Sequence, residues 1–240
     1  MSGKTLAATI LPQKIAEVLA SKIRWYSLAN FRVVLWAAKD QLDIGVLATA
    51  VSPESLEQSK ILKAELRRKE WLATRTLSRY LTGLEPMSDN LGRPVWAEDW
   101  VGSISHKSGH VALWCAQRPL VGCGIDLESC REFEPAMADK IMNDGEQTLI
   151  SQAVAQFSFS MVFAAKEAIY KALFPKVGKK FYFDAAILTG VFGGDKDFVL
   201  DFVIAHDLSL HVRAGLSVRA AVRFVEIDGS PYWLAIAFSH

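Results

Sequence analysis

Apolar positions in the first half of the chain alternate between helical and extended spacing. Over residues 15–23, directly after Pro12, they recur every three to four positions, which predicts a first helix. The β-branched and aromatic run at 31–38 predicts a strand. A longer apolar stripe follows an N-cap at Ser52 and predicts a single long helix that ends at Gly83.

The second half of the chain predicts strands on both sides of a helical block. Strands are expected at 111–116 and 121–128. Helical spacing covers 136–157 and, after a break, 160–174, where Pro175 and Gly178 are expected to stop the helix. Four short β-like runs follow in the last part of the chain: 198–204, 209–213, 218–225 and 233–238.

Both halves of the chain therefore combine helices with strands, which predicts an α+β fold. A turn-rich stretch near residues 118–120 divides the chain almost equally and predicts two domains, at 1–119 and 120–240. With 240 residues, of which 51% are hydrophobic, the chain can bury one large core or two smaller ones. This composition excludes disorder as the main state.

Overall charge changes this picture little. The 27 Lys and Arg residues against 26 Asp and Glu leave a net charge of +1, so no overall field favours nucleic acid or an anionic membrane.

The apolar runs fall far short of the roughly 20 residues that a spanning helix needs, and the first residues lack the apolar region of a signal peptide. The three cysteines include no Cys-x-x-Cys pair, which favours a reducing compartment. We expect a cytoplasmic monomer that binds no nucleic acid.

The first candidate for chemistry is a pair of acids in the predicted strand that ends at Glu128. Strand geometry puts Asp126 and Glu128 on one face and the apolar residues between them on the other. Two neighbouring carboxylates repel each other unless a cation lies between them, and Mg²⁺ typically takes one or two carboxylates together with substrate phosphates. The alternative is a solvated strand end without a ligand.

A second candidate is the polar face of the predicted helix at 160–174. Glu167 and Lys171 are four residues apart, and Lys166 precedes the acid, so one acid is flanked by two bases. The alternative is an ordinary surface ion pair that contributes a few tenths of a kcal/mol, about 0.3–0.5.

The third candidate is the Ser105-His106 pair, preceded by the segment 92–94. Adjacent residues on a strand point to opposite faces, so these two side chains cannot form a nucleophile–base pair. They could both contact a phosphate-rich ligand. The chain has no Gly-x-Ser-x-Gly, Walker A, Gly-x-Gly-x-x-Gly or His-Glu-x-x-His motif, which disfavours the corresponding hydrolase, NTPase, dinucleotide and zinc-protease classes.

Taken in order, these segments resemble the 4′-phosphopantetheinyl transferases, especially the enterobactin-synthase-activating type and its broad-specificity relatives. The likeness lies in Gly92-Arg93-Pro94, Ser105-His106, the run 124–128 and the run 163–171, and it covers about 60–185 well. The resemblance implies two similar α/β halves, each a small mixed sheet with helices, packed as a pseudo-dimer. It also implies coenzyme A and Mg²⁺, or Mn²⁺ in its place, in the cleft between the halves.

The resemblance also implies roles for individual residues. Asp126, Glu128 and Glu167 would surround the Mg²⁺. Glu167 and Lys171 would be catalytic, Glu167 as a metal ligand or as a general base and Lys171 beside the pyrophosphate. Five residues would bind coenzyme A: Arg93, Ser105, His106, Lys166 and Lys171.

The partner implied by the resemblance is an acidic apo carrier protein. Two basic regions could attract it. One is the Lys176, Lys179, Lys180 cluster after the Lys-Glu helix, and the other is the basic face of the predicted helix at 57–81. The alternative is that both regions only keep the surface soluble.

The implied activity is transfer of 4′-phosphopantetheine from coenzyme A to a serine of an acyl, peptidyl or aryl carrier protein, with release of adenosine 3′,5′-bisphosphate. The carriers could belong to siderophore, polyketide or fatty-acid synthesis. Two alternatives remain open. One is a metal-dependent pyrophosphatase that acts on coenzyme A or a similar nucleotide, and the other is a carrier-binding module without catalysis.

Overall fold

The structure, a computed structural model, describes residues 11–28, 31–38, 42–90, 92–118 and 122–238. These residues divide into two units, each built around its own hydrophobic core. The first unit takes in the described residues up to Ser27 and from Arg32 to Arg118. The second takes in Leu28, Phe31 and the described residues after Pro119.

Up to Arg118, the described residues form four helices and six strands. In chain order these are α1 (Gln13–Lys22), β1 (Arg24–Leu28), β2 (Phe31–Ala37), α2 (Ile44–Ala48), α3 (Pro53–Lys60), α4 (Glu65–Thr82), β3 (Met87–Ser88), β4 (Pro94–Val95), β5 (Trp100–Lys107) and β6 (His110–Gln117). The first helix, the strand at 31–38 and the strand at 111–116 are confirmed as α1, β2 and β6.

The larger sheet of this part has the strand order β1-β2-β6-β5 over the described residues. Strands β2 and β5 both run antiparallel to β6. Val34 and Trp36 of β2 alternate toward one face, and they share a core with Leu113 of β6 and with Leu72 and Leu77 of α4. The amphipathic stripe of α4 is therefore what covers this sheet.

The single long helix predicted after Ser52 is wrong, because the chain forms the two helices α3 and α4. Ile61 and Leu66, which the stripe places in the core, are 79% and 43% exposed. The chain turns between them, and α3 packs on α4 through the fully buried Ser55 and Ser59. The Trp71 indole N–H donates to the Ser55 carbonyl at 3.3 Å. No proline or glycine marks this turn in the sequence.

The predicted basic surface at 57–81 is also partly wrong, because two of its arginines point inward. Arg75 is buried against the ring of Trp71. Arg79 donates to the carbonyl of Ala50 at 3.1 Å and to the Glu85 carboxylate at 3.0 Å. These guanidinium groups are held inside the first unit, so they are not part of a continuous docking face.

The described residues from 122 onward form three α-helices, one 3₁₀ turn and five strands. They are β7 (Cys123–Ser129), α5 (Pro135–Ile141), α6 (Asp144–Ala153), α7 (Ser158–Val177), the 3₁₀ turn Phe183–Ala185, β8 (Ala186–Gly194), β9 (Asp197–Ile204), β10 (Ser217–Ile227) and β11 (Ser230–Phe238). Residues 119–121, which carry part of the predicted domain boundary, lie outside the described residues.

The α+β class is confirmed, but the expected mixed sheet is not found in the second unit. Its described strands have the order β7-β11-β10-β9-β8, and every neighbouring pair is antiparallel. Tight turns explain this arrangement. Asp195, Asp228 and Gly229 adopt positive φ at the β8–β9 and β10–β11 connections, so each strand returns beside the one before it.

Several predicted elements of the second unit change. The helix at 136–157 is two helices, because Asn143 makes a new N-cap with a capping box to Glu146. Helix α7 continues through Pro175 and ends at Gly178, whose φ of 72° forms the C-cap. The run at 209–213 is a loop, in which the Ser209 hydroxyl accepts from two backbone N–H groups.

Strand β8 was not predicted. It lies at the end of the sheet, and a bulge interrupts its register between Leu188 and Gly190. Its glycines and alternating small residues hide the periodicity of a strand.

Helix α7 is the central element of the second unit. Met161, Val162, Ala165, Ile169 and Ala172 are all fully buried in the core that it shares with the sheet.

No single helix within the described ranges is long and apolar enough to cross a membrane. Helices α6 and α7 reach the required length and apolarity only as a pair, and that pair is bent by 115°.

Strand β7 and helix α7 touch backbone to backbone at Gly124. A Cβ atom at this position would lie 1.8 Å from the carbonyl oxygen of Ala168 and 2.6 Å from the backbone nitrogen of Ala172. Only glycine fits there without moving the helix. This contact fixes the distance between the two elements that carry Asp126 and Lys171.

We predict that Gly124→Ala destabilises the second unit, because the new methyl group overlaps the backbone of α7. The expected loss is about 1–3 kcal/mol or more, measured by urea denaturation. The matched control is Gly194→Ala in β8, where a Cβ meets nothing within 4 Å. Equal loss in both variants would contradict the close contact.

Candidate functional site

The two acids of β7 face helix α7. Asp126 and Glu128 lie on the same side of the strand as Gly124, and they are only 6% and 4% exposed. Their partners in the neighbouring strand β11 are Ala235 and Trp233. The solvated strand end that we considered as an alternative is therefore wrong, because both carboxylates are buried under the helix.

Lys171 reaches from α7 to this strand. Its ammonium donates to Asp126 Oδ1 at 2.7 Å and to the carbonyl of Ile125 at 3.0 Å. The alternative of an ordinary surface pair with Glu167 is therefore wrong, because the hydrogen bonds of Lys171 go to β7. A partly buried lysine that bridges a carboxylate and a carbonyl is a fixed positive charge beside the acids.

Glu167 belongs to the same electrostatic environment. Burial raises the pKa of its carboxyl group, Asp126 and Glu128 raise it further, and only Lys171 opposes them. Glu128 is also held locally, since its Oε1 accepts from the Ser129 hydroxyl at 3.0 Å. Three carboxylates therefore share one electrostatic environment, in which Lys171 bonds to Asp126 and Arg131 Nε lies 3.6 Å from Glu128 Oε1.

The donor atoms of this region suit a hard divalent cation, because all three acids supply carboxylate oxygens. Within the part of the chain that the structure describes, no three or more His, Cys, Asp or Glu side chains are arranged to hold a metal ion. Mg²⁺ commonly uses only one or two protein carboxylates and takes its other ligands from water and substrate phosphates. The acids thus fit Mg²⁺ chemically, and the predicted three-carboxylate ligand set stays a prediction.

Lys166 is placed differently from its predicted role. Its side chain is buried, and its ammonium lies 2.7 Å from Glu146 Oε1, 2.7 Å from the Ile141 carbonyl and 3.1 Å from the Phe183 carbonyl. Burial lowers the pKa of Lys166, and the charge and hydrogen bond of Glu146 oppose this. Its three protons are used inside the second unit, so this placement argues against a role in binding coenzyme A.

The Ser105-His106 pair lies in the first unit, on β5. Ser105 is buried, whereas the His106 ring is partly exposed on the other face of the strand, as the sequence predicts. His106 Nδ1 is 2.8 Å from Glu70 Oε2, and its Nε2 contacts the guanidinium of Arg67. Helix α4 therefore supplies both partners of this ring.

Arg93 lies in the short loop between β3 and β4. Its guanidinium pairs with the Asp89 carboxylate, and its backbone N–H donates to the same carboxylate at 3.0 Å. Gly92 adopts a φ of 78° there, so the loop turns where a side chain would be strained. The loop holds Arg93 half-exposed at the surface of the first unit.

Arg75 has surroundings that favour an anion. Its guanidinium stacks 3.3 Å from the Trp71 ring centroid and donates to Thr74 Oγ1 at 3.0 Å and Ser88 Oγ at 3.1 Å. Its Nε has no hydrogen-bond partner among the residues described. Burial and then the charge of Arg67 lower its pKa to about 9, so the group is a charged cation at neutral pH without a bonded carboxylate.

Of the three lysines predicted to meet the carrier, Lys179 and Lys180 are exposed and Lys176 is partly buried. Lys176 lies in the last turn of α7, and Lys179 and Lys180 follow its C-cap. Lys180 also lines a small cavity of about 190 Å³, whose wall includes Tyr170 and Glu167. Within the second unit, Lys180 and the candidate catalytic acid Glu167 therefore line the same cavity.

With this geometry in view, the likeness to known proteins is informative. Residues 122–221 match the model of the 4′-phosphopantetheinyl transferase superfamily. Enterobactin synthase component D of Salmonella austin is 28% identical over 169 residues, which are 69% of this chain and 66% of that relative. The 4′-phosphopantetheinyl transferase PptT of Mycobacterium tuberculosis is 29% identical over 132 residues, which are 51% of this chain and 58% of that relative.

The chain is thus similar to the 4′-phosphopantetheinyl transferase superfamily, and the match to the family model lies in its second half. Less than two thirds of the length of either relative is matched. A solved holo-[acyl-carrier-protein] synthase of Thermotoga maritima covers 50% of this chain and 65% of its own, with 20% identity and a TM-score of 0.34, which is too low to support an argument. Asp126, Glu128, Glu167 and Lys171 all lie inside the segment that matches the superfamily.

Three charged residues near the predicted site residues were not predicted: Glu70, Arg75 and Glu146. Arg75 follows Trp71 by four positions and Leu72 by three, so a helical wheel would have put it on the buried side of α4. Glu70 and Glu146 gave no such signal. Each is paired with a residue distant in sequence, and only the fold brings those partners together.

We predict that Lys166→Met lowers the free energy of unfolding by about 3–5 kcal/mol, because it leaves the Glu146 charge buried without its partner. Urea denaturation measures the change. The control is Lys60→Met, which removes an exposed ion pair with Glu57 and should change stability by less than about 1 kcal/mol. Equal effects would show that Glu146 and Lys166 are not coupled.

Proposed function

We propose that this chain transfers the 4′-phosphopantetheine group from coenzyme A to a serine of an apo acyl, peptidyl or aryl carrier protein and releases adenosine 3′,5′-bisphosphate. The observation that carries the proposal is the group formed by the buried Asp126 and the partly buried Lys171 and Glu167, held by the contact of β7 with α7. It lies in the segment that matches the transferase superfamily. Carriers of both siderophore and fatty-acid synthesis fall within the proposed substrate class.

In the proposed reaction, the serine oxygen bonds to the β-phosphorus of coenzyme A, and the bond from that phosphorus to the bridging oxygen breaks. The serine proton goes to Glu167, whose raised pKa makes it a better base than an ordinary carboxylate. The charge left on the bridging oxygen faces the ammonium of Lys171. Positioning and charge neutralisation account for most of such a step.

A divalent cation fits this proposal at the acids of β7. Asp126 and Glu128 would hold Mg²⁺, which supplies charge neutralisation to the pyrophosphate when bound. Glu167 would add a third oxygen or act only as the base. Lys171 holds the Asp126 carboxylate in place from the opposite side of the site.

The first unit would bind the nucleotide end of coenzyme A. Arg67 and Arg75 supply positive charge and hydrogen-bond donors near one another and beside the His106 ring, and Arg75 lacks a bonded carboxylate. A guanidinium group binds phosphate oxygens in a fork, which suits the 3′-phosphate of coenzyme A. Arg93 and Ser105 complete the proposed set of residues on this side.

We predict that the wild-type chain, incubated with coenzyme A, Mg²⁺ and an apo carrier protein, adds phosphopantetheine to the carrier, as seen by intact mass spectrometry. Glu167→Gln should lower the rate at least about 100-fold, because the amide can neither take the proton nor bind the cation as a carboxylate does. The control is Glu132→Gln, an exposed acid outside the site.

The same assay separates the alternatives. Hydrolysed coenzyme A with an unmodified carrier would indicate a pyrophosphatase, and neither product would indicate a binding module. If Glu167→Gln keeps most of the wild-type rate, Glu167 is neither base nor metal ligand.

The carrier is proposed to approach the Lys176, Lys179, Lys180 cluster at the end of α7, in which Lys179 and Lys180 are exposed. We predict that Lys179→Glu with Lys180→Glu raises the carrier KM severalfold at low salt and leaves the coenzyme A KM unchanged, because surface charges act mainly on encounter. Steady-state kinetics over a salt series measure this. The control is Lys14→Glu with Lys63→Glu, the same charge change on the first unit, and an equal rise in carrier KM there would indicate an effect of overall charge.

A further inference from the structure

We propose that Glu70 is a positioning residue, which holds the His106 ring and the Arg67 guanidinium together at the anion site. This inference rests on the proposed function, because it takes the anion to be the nucleotide end of coenzyme A. Glu70 is not among the residues implied by sequence resemblance. The structure assigns it through four contacts within the first unit.

The carboxylate of Glu70 is buried and accepts from two elements at once. Its Oε2 is 2.8 Å from His106 Nδ1, and its Oε1 accepts the backbone N–H of Gly109 at 2.9 Å. Arg67 Nη1 lies 3.5 Å from Oε2. Burial raises the pKa of Glu70, but the hydrogen bonds of His106 and Gly109 and the charge of Arg67 outweigh it, so the pKa is lowered.

These contacts define the tautomer of the ring. A carboxylate only accepts hydrogen bonds, so His106 Nδ1 carries the proton that faces Glu70. A guanidinium only donates, so Nε2 accepts from Arg67. The neutral ring therefore has one arrangement that satisfies both partners. Glu70 thereby sets which nitrogen accepts from Arg67, and the ring in turn holds the guanidinium that the anion would meet.

A purely structural role for Glu70 would use only the Gly109 contact. Gly109 and Ser108 both have positive φ, at 83° and 52°, in the tight turn between β5 and β6. Glu70 Oε1 satisfies the N–H of this turn. Glutamine in this place keeps an oxygen for Gly109, but it presents an NH₂ group to Nδ1, which reverses the hydrogen bond with the ring.

The test compares wild-type protein with Glu70→Gln and uses Glu65→Gln, an exposed acid of the same helix, as control. ¹⁵N spectra of histidine-labelled protein, assigned with His106→Gln, report the tautomer of the neutral ring. We expect Nδ1–H in wild type and in Glu65→Gln, and Nε2–H in Glu70→Gln. Nε2–H in the wild-type protein overturns the proposal, whether or not the variant folds.

The second measurement is the binding of adenosine 3′,5′-bisphosphate by calorimetry, together with steady-state kinetics. We expect Glu70→Gln to weaken binding of this probe and raise the coenzyme A KM about tenfold, with kcat and the carrier KM unchanged. Glu70→Asp, which keeps the charge, should restore part of the affinity.

Two failures can be told apart in these experiments. If wild-type protein transfers phosphopantetheine but Glu70→Gln binds the bisphosphate as tightly as wild type, the Glu70 proposal is wrong and the function stands. If Glu70→Gln raises the carrier KM and the coenzyme A KM by the same factor, Glu70 only supports the fold. If the wild-type protein makes no transfer product, the proposed function fails, and the ring tautomer and bisphosphate affinity still decide the role of Glu70.

Discussion

The closeness of helix α7 to strand β7 is the constraint on which the second unit depends. At Gly124 the two backbones leave no room for a side chain, and this contact sets the distance from one element to the other. Two residues further along the strand, Asp126 receives the ammonium of Lys171 from the helix. Helix α7 also carries Glu167 into the same environment and supplies much of the hydrophobic core. Packing and chemistry in this unit therefore rest on a single pair of elements.

Each unit gathers side chains that carry mainly one sign of charge. The second unit gathers carboxylates that call for a cation, and the first unit gathers arginines that call for an anion. In each unit one charged residue of opposite sign, Lys171 or Glu70, keeps the cluster in position.

The sequence allowed the short-range parts of this arrangement to be predicted. Alternation in β7 was enough to place Asp126 and Glu128 on one face, and the period of α7 was enough to recognise the helix. The sequence did not reveal the turn between α3 and α4, because no proline or glycine marks it. The packing of Ser55 and Ser59 on α4 decides that turn instead. Burial of Lys166 was equally hidden, since its partner Glu146 lies on another helix.

The outer strand β8 has a consequence for how this protein meets other chains. A strand at the end of a sheet carries backbone groups that can add a further strand, and flat edges of this kind promote aggregation. In β8 the bulge after Leu188 twists the edge, and Gly193, with a φ of 103°, bends its far end. The regular stretch left for pairing is short. We expect this edge to resist strand addition, so the second unit should not pair edge to edge with other chains.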